Sequence, residues 1–78
     1  MFLEIITPDK KIFSGEVSLV QLPGTKGSFE ILNNHAPIIS TLTKGKIKII
    51  DSEKATKFFE INSGVAEVQK NKIIILAE

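Results

Sequence analysis

Apolar and polar residues alternate along much of this chain with a period of two, which is the period of a β-strand. The clearest example is the segment 46–51, in which Ile47 and Ile49 fall on one face and Lys46 and Lys48 on the other. Such alternation is typical of a sheet with one face buried and one face in water. No segment shows the pattern of an amphipathic helix of ten residues, so the chain is predicted to be all-β.

Turn-forming residues divide the alternating pattern into eight short segments. Pro8-Asp9, Pro23-Gly24, Asn33-Asn34, Ser63-Gly64 and Lys70-Asn71 separate most of them. The predicted strands are Phe2–Thr7, Lys11–Leu22, Ser28–Leu32, Pro37–Leu42, Lys46–Asp51, Lys57–Asn62, Val65–Gln69 and Lys72–Ala77. Seven or eight short strands at this spacing predict a small sandwich or barrel.

The long second strand carries two further predictions. Gly15 inside it predicts a bulge or a bend, because a glycine within a strand often marks one. Strict alternation places Val17 and Leu19 on one face of this strand, and Val20 and Leu22 on the other.

Two later strands differ in their apolar pattern. In the segment 57–62, Phe59 and Ile61 share one face and Phe58 lies on the opposite face. The last strand contains the continuous apolar run from Ile73 to Leu76, which is typical of a strand buried on both faces. A short apolar run is also compatible with a helix, but β-branched isoleucines and the turn residue Asn71 favour a strand.

Length and composition narrow the class of protein. Seventy-eight residues form one domain, residues 1–78, and the absence of cysteine excludes disulfides and thiolate metal sites. The net charge is only +1, all ten basic residues are lysines, and tryptophan and tyrosine are absent, so nucleic-acid binding is disfavoured. No apolar run is long enough to span a bilayer, and the first residues do not resemble a signal peptide. We therefore expect a soluble protein whose contact with a membrane is indirect.

The sequence offers little for catalysis. His35 is the only histidine, and it lies between a turn and a proline without a nucleophile motif nearby, so we expect its ring to donate a hydrogen bond to a loop carbonyl. The acidic residues are scattered singly, and no metal-ligand or phosphate-binding spacing occurs. We predict no catalytic residue, no metal and no cofactor.

Two further groups of residues have ordinary structural interpretations. Lys44, Lys46 and Lys48 form a basic stripe that is best explained as a solvated strand face, which also discourages edge-to-edge aggregation. We assign most of four phenylalanines to the interior: Phe13, Phe29, Phe58 and Phe59.

Four short motifs occur in an order and spacing that is specific when taken together. They are Ile12-Phe13-Ser14-Gly15 followed by Val17, Leu22-Pro23-Gly24 followed by Gly27, His35-Ala36-Pro37, and Ile61-Asn62-Ser63-Gly64-Val65-Ala66 followed by Val68. With them, the chain from Leu3 to Ala77 resembles the epsilon subunit of the rotary F-type ATP synthase. The resemblance implies a ten-stranded, two-sheet β-sandwich at the foot of the central stalk.

The same resemblance implies a function and partners. Such a domain is a non-catalytic rotor part that grips the gamma subunit with one side and touches the c-subunit ring with its loop end. It couples proton flow to ATP synthesis, on the cytoplasmic face of a bacterial inner membrane and without direct insertion. By position, the ring-facing residues would be Gly27, Ser28, Phe29 and Glu30 together with His35, Ala36 and Pro37.

The chain departs from the family pattern at a few places. Many members have an acidic residue where Ser28 stands and glycine where Glu30 stands, so we expect Glu30 to present the carboxylate from the same strand face. Asn33-Asn34 replaces a common Pro-Gly turn, which asparagine can also form. Longer members continue into a helical hairpin that this sequence lacks, so neither nucleotide binding nor inhibition by inserted helices is expected.

Two other functions remain open from the residues alone. A small β-sandwich of the carbohydrate-binding or adhesion type would need exposed aromatic platforms, and this chain has only phenylalanines to build them. A small β-fold enzyme is disfavoured by the lone His35.

Overall fold

The computed structural model describes residues 1–78 and is all-β, as predicted. Its strands are β1 (Phe2–Ile6), β2 (Lys11–Gly24), β3 (Gly27–Leu32), β4 (Ile38–Leu42), β5 (Gly45–Asp51), β6 (Thr56–Ile61), β7 (Gly64–Gln69) and β8 (Lys72–Ala77). All eight lie within two residues of their predicted bounds. The structure has no helix of the length and apolarity that a membrane crossing requires.

The long strand β2 joins two sheets into a sandwich. Its first part pairs with β1, whereas its second part pairs with β3 along one edge and β5 along the other. The eight strands form one continuous hydrogen-bonded sheet that folds over at β2, and a single further pair, Gly24 with Leu42, joins β2 to β4. We call its two layers sheet I (β6, β5, the second part of β2, and β3) and sheet II (the first part of β2, β1, β8, β7 and β4). The predicted two-sheet sandwich is confirmed. The strands number eight, fewer than the ten implied by the resemblance, and one continuous β2 serves both sheets.

The irregular positions of β2 are not at Gly15. Gly15 pairs in regular register with Leu3, so the predicted bulge at this glycine is wrong. The register shifts instead at Ile12, where β2 faces β1, and at Ser18, where it faces β5. Each shift inserts one unpaired residue, and such bulges bend a strand and increase its twist. The bend at Ser18 comes where β2 passes from sheet II to sheet I.

The bulge at Ser18 also changes which side chains of β2 reach the core. Val17 is buried together with Val20 and Leu22, although strict alternation would put Val17 on the other face. Leu19 is left half-exposed on the outside of sheet I. The predicted pairing of Val17 with Leu19 on one face is therefore wrong, because the extra residue reverses the alternation between them.

The core lies between the two sheets and is entirely apolar, with no buried polar residue. Ile73 and Ile75 of β8 are fully buried, but Ile74 is half-buried and Leu76 is 55% exposed. The prediction that the run Ile73–Leu76 is buried on both faces is wrong, since β8 alternates like its neighbours. The buried apolar set is Met1, Leu3, Ile5, Val17, Val20, Leu22, Ile31, Leu42, Ile47, Ile49, Ile61, Ala66, Val68, Ile73, Ile75 and Ala77.

The phenylalanines lie at the margin of the core. Phe13, Phe29 and Phe59 pack against it while remaining partly exposed, and the rings of Phe13 and Phe59 are 5.7 Å apart between centroids. Phe58 is 59% exposed on the outside of sheet I, opposite to Phe59 and Ile61, as the alternation predicted. Three of the four phenylalanines thus contribute to the interior, and Phe58 does not.

Candidate partner-binding surfaces

The first candidate surface is the outer side of β3, which follows a tight hairpin turn from β2. Gly27 ends that turn with φ of 126°, a conformation that favours glycine. Beyond it, Ser28 and Glu30 are exposed, whereas Phe29 and Ile31 point towards the core. Ser28 and Glu30 therefore project from the same side of the strand, as predicted from their spacing of two.

Hydrogen bonds fasten the tip of this hairpin to β4 of the other sheet. The backbone N–H of Thr25 donates to the carbonyl of Thr41 (3.1 Å), and the two threonine hydroxyl oxygens are 2.9 Å apart. Gln21 Nε2 donates to the hydroxyl of Ser28 across the hairpin (3.2 Å). Between the hairpin and β4 lies a depression of ≈ 540 Å³ bordered by hydroxyl groups and Lys26. This end of the molecule can offer hydrogen bonds to a polar partner, and it is held in place by both sheets.

His35 lies in the loop between β3 and β4 and has a structural role there, as predicted. Its backbone N–H donates to the carbonyl of Leu32 (3.2 Å), and its Nδ1 lies 2.7 Å from the carbonyl oxygen of Ala36. A carbonyl can only accept, so Nδ1 carries the proton in this contact. The loop is also anchored by Asn34, whose N–H donates to Asn71 Oδ1 at 2.8 Å.

The predicted ring-facing residues form two groups rather than one cluster. Gly27–Glu30 begins at the hairpin end of β3, whereas His35-Ala36-Pro37 follows the other end of the strand. Five residue steps along β3 separate the two ends by roughly 17 Å at about 3.4 Å per residue. Pro37 in turn borders a shallow depression against Glu67 of β7. The two groups lie at opposite ends of β3, and we call them together the strip along β3.

The sequence did not predict the second candidate surface, an apolar outer face on sheet II. Strand register sets its side chains next to one another: Ile6 pairs with Leu76, and Leu76 pairs with Val65. Ile39 is 74% exposed, Leu76 55% and Val65 39%. The available sequence signal was the run Ile73–Leu76, whose alternate members supply both the core and this surface. We call the set Ile6, Ile39, Val65, Ile74 and Leu76 the apolar face.

Two carboxylates lie within or beside the apolar face, and their surroundings differ. Glu4 of β1 contacts Lys11 Nζ at 2.6 Å and Lys72 Nζ at 3.7 Å. The hydrogen bond from Lys11 lowers the pKa of Glu4, against an opposing contribution from desolvation, and the charge of Lys72 lowers it further. Glu67 of β7 lies between Ile39 and Ile74 in the sheet and makes no ion pair.

The outside of sheet I is more mixed in character. Leu19, Leu32, Ile50 and Phe58 are at least partly exposed there, and Lys46 and Lys48 lie beside them without an ion pair. The lysines fit the predicted solvated stripe. Phe58 is the one strongly exposed aromatic side chain, so no platform of several rings exists for stacking on a sugar. No group of three histidine, aspartate or glutamate side chains converges to hold a metal ion.

Comparison with known proteins identifies the family from the sequence. The family model described as "ATP synthase, Delta/Epsilon chain, beta-sandwich domain" matches residues 1–78. The ATP synthase epsilon chain of Caulobacter vibrioides is 42% identical over 78 residues, covering 100% of this chain and 90% of the relative. That of Chlorobium limicola is 45% identical over 76 residues, covering 97% and 86%. That of Campylobacter curvus is 45% identical over 78 residues and is longer, since the match covers 60% of it.

Two solved structures share the fold at low sequence identity. A chain of the Euglena gracilis mitochondrial ATP synthase (OSCP/F1/c-ring) matches 96% of this chain with a TM-score of 0.89 and 19% identity. A chain of the Tetrahymena thermophila mitochondrial ATP synthase (central stalk/c-ring) matches 99% with a TM-score of 0.80 and 23% identity. The matches span 48% and 62% of those chains. With a family model over every residue and relatives above 40% identity, the chain belongs to the β-sandwich family of ATP synthase delta and epsilon chains.

Proposed function

We propose that this chain is a non-catalytic central-stalk subunit of a proton-translocating F-type ATP synthase. It joins the gamma subunit to the c-ring and couples ion flow to ATP synthesis. The observation that carries the proposal is the apolar face on a closely packed sandwich, because such a face needs a protein partner to cover it. Family membership makes the partner a subunit of the same complex.

The apolar face is the surface we assign to the gamma subunit. Interfaces of permanent complexes are more apolar than the rest of a protein surface, and exposed aliphatic residues at the centre of a sheet face suit that role. Ile39, Val65 and Leu76 all point outward from sheet II, supported by the buried alternate residues of the same strands. A partner packed here would be held by a stiff layer rather than by a loop.

The strip along β3 is the surface we assign to the c-ring. It comprises Gly27, Ser28 and Glu30, with Phe29 packed inward beneath them, and His35, Ala36 and Pro37 at its far end. Ser28 and Glu30 are polar and exposed on one side of the strand, which suits contact with polar loops. Glu30 makes no ion pair within the chain, so its carboxylate is free to meet a partner. We propose that it supplies, from the same strand face, the acidic charge that the family resemblance leads us to expect at the position of Ser28.

The mechanism needs rigidity and two contacts, and it needs no chemistry from this chain. A core of close-packed aliphatic side chains resists deformation, so torque entering at one surface leaves at the other without slip. We place the subunit in a peripheral assembly on the cytoplasmic face of the bacterial inner membrane. Neither a nucleotide nor another cofactor is part of the proposal.

Copurification from native membranes tests the proposal. A tagged copy of the chain should bring down the gamma and c subunits, and Leu76→Asp should lose gamma because it places a charge in the apolar face. Phe58→Asp is the matched control, since Phe58 is similarly exposed on the opposite sheet. Retention of glycans without either subunit would instead support a carbohydrate-binding module. Equal recovery of gamma with both variants would remove the assignment of the apolar face.

The assignment of Glu30 needs its own experiment. We expect Glu30→Lys to weaken c-ring attachment and ATP-driven proton pumping, because it reverses the charge of the strip along β3. Gamma binding should persist, because β3 is not part of the apolar face. Glu60→Lys on the outside of the same sheet is the control, since it changes charge equally away from the strip. Unchanged assembly and pumping with Glu30→Lys would refute the role of Glu30.

A further inference from the structure

We infer that Glu67 is the charged recognition point of the apolar face, and that the partner covering this face presents a lysine or arginine side chain to it. This inference rests on the proposed function, since it describes the gamma-facing surface more closely. The matching surface of the partner would carry aliphatic side chains around one cationic side chain.

Glu67 lies among aliphatic side chains of three neighbouring strands. Register places it directly between Ile39 of β4 and Ile74 of β8. Val65 lies two residues earlier on the same side of β7. The carboxylate is exposed in the free chain and is bordered by aliphatic side chains on both neighbouring strands and by Val65 along its own strand, with Gln69 beyond it.

Glu67 itself makes no ion pair within the chain, although Lys70 and Lys72 line a shallow depression with it. Glu4, a second carboxylate on this side of sheet II, already has Lys11 and Lys72 as partners. Lys72 lies diagonally from Glu67 but forms its ion pair with Glu4 instead. A partner that covers the apolar face therefore finds Glu4 neutralised and Glu67 unpaired.

Covering the face then has a definite electrostatic consequence. Desolvating an ionised carboxylate without a counter-charge is strongly unfavourable, so a partner that supplies a cation at this point binds more tightly than one that does not. Arginine fits best, because its planar guanidinium is weakly hydrated and can bind both carboxylate oxygens.

The same charge disfavours other occupants of the face. In a symmetric dimer whose two-fold axis passes near Glu67, the two carboxylates would oppose each other, which is repulsive. An anionic membrane surface would repel Glu67 as well. A partner protein with a basic residue among apolar ones is the occupant that fits both the aliphatic side chains and the charge.

A binding measurement with matched variants tests this. The cognate F1 portion of the enzyme, prepared without this chain, is titrated with wild type, Glu67→Gln, Glu67→Lys and the control Glu60→Lys. We expect Kd to rise about 30-fold or more for Glu67→Gln and further for Glu67→Lys, as for loss of one member of a buried charge pair. Glu60→Lys, on sheet I, should stay within about threefold of wild type. Thermal unfolding of each free variant checks that the fold is kept.

The outcomes separate this inference from the proposed function. Binding by wild type but not by Leu76→Asp would support the apolar face as the interface. If both Glu67 variants then bind like wild type, the proposed partner cation at Glu67 is refuted. If wild type fails to bind F1, the proposed function itself fails. Restoration of Glu67→Lys binding by changing one basic residue of the partner to glutamate would identify the cation directly.

Discussion

Gly64, at the start of β7, lies so close to β8 that a side chain has no room there. A Cβ atom built on it would be 2.7 Å from the carbonyl oxygen of Leu76 and 3.3 Å from Ala77 Cα. Both are backbone atoms of a neighbouring strand, so relief requires the strands to separate. We expect Gly64→Ala to lower the free energy of unfolding by about 1–3 kcal/mol, measured by urea denaturation.

Gly15 provides the matched control for that substitution. A Cβ atom there would meet only the ring of Phe13, at 3.5 Å, which is ordinary van der Waals contact. Gly15→Ala should therefore be neutral or stabilising by about 0.4–1 kcal/mol, because alanine restricts the unfolded chain. Equal losses in the two variants would show that the contact with β8 is not the cause.

Two carboxylates make stability depend on acidic pH. A hydrogen bond from Lys11 lowers the pKa of Glu4, and hydrogen bonds from the backbone N–H groups of Ala55 and Glu53 lower that of Asp51, with desolvation opposing both shifts. A folded-state pKa below the unfolded value means that the unfolded chain takes up protons first as the pH falls. The stabilisation is therefore complete above about pH 5 and is lost as the pH falls below about 4. Urea midpoints measured at several pH values would check this.

Removing the two titrating charges isolates their effect. Asp51→Asn keeps a side-chain oxygen for the turn, and Glu4→Gln keeps one for Lys11. The double variant should be less stable at neutral pH and should show a shallower loss of stability on acidification. An acid dependence as steep as that of wild type would assign the effect to other groups.

The packing of β2 against the core depends on one inserted residue, Ser18. The bulge at Ser18 lets Val17 and Val20 both face the core. Deleting Ser18 restores strict alternation, so the first part of β2 must either turn Val17 outward or lose its register with β1. Exposing one valine alone costs about 1.5–3 kcal/mol, and we expect the deletion variant to lose at least that much in urea denaturation.

Ser18→Ala tests whether the inserted position or the side chain matters. The Ser18 hydroxyl is exposed and donates only a long hydrogen bond to the Ile50 carbonyl (3.4 Å). We expect its removal to change stability by less than about 0.5 kcal/mol. A loss as large as that of the deletion would mean that the hydroxyl, and not the extra residue, holds the bend.

Local chemistry explains which features of these elements were predictable. Turns depend on neighbouring residues, so Lys70-Asn71, both with positive φ, was recognisable as a two-residue hairpin turn. Exposure of Ser28 with Glu30 follows from the strand period alone. The bulges at Ile12 and Ser18 were not predictable, because they depend on how β2 meets two different sheets.

Of the two candidate surfaces, the sequence predicted the strip along β3 but not the apolar face. The strip along β3 came from the family resemblance, and the strand period gave its outward side chains. The apolar face depends on cross-strand neighbours, such as Ile6 beside Leu76, that are 70 positions apart in sequence and paired in parallel. The setting of Glu67 between Ile39 and Ile74 likewise exists only once three strands are in register.

At the scale of the whole molecule, the sandwich is small and leaves much apolar surface uncovered. Only 17 of its 78 residues are buried, and large aliphatic or aromatic side chains remain exposed on both outer faces. A domain of this size buries a modest fraction of its unfolded surface and is expected to be marginally stable alone. A partner that binds only the folded form must therefore add a noticeable share of the total stability.

That linkage gives a prediction for the assembled protein. At a free partner concentration 100 times Kd, binding adds about 2.7 kcal/mol to the free energy of unfolding. Amide hydrogen exchange of the chain within F1, compared with the free chain, should show slower exchange by about 100-fold for the buried amides of β7 and β8 that open only by global unfolding. Leu76→Asp should lose this protection, whereas Phe58→Asp should keep it, because only the first lies in the apolar face. Protection in F1 that survives Leu76→Asp would mean that the partner stabilises this domain through another surface.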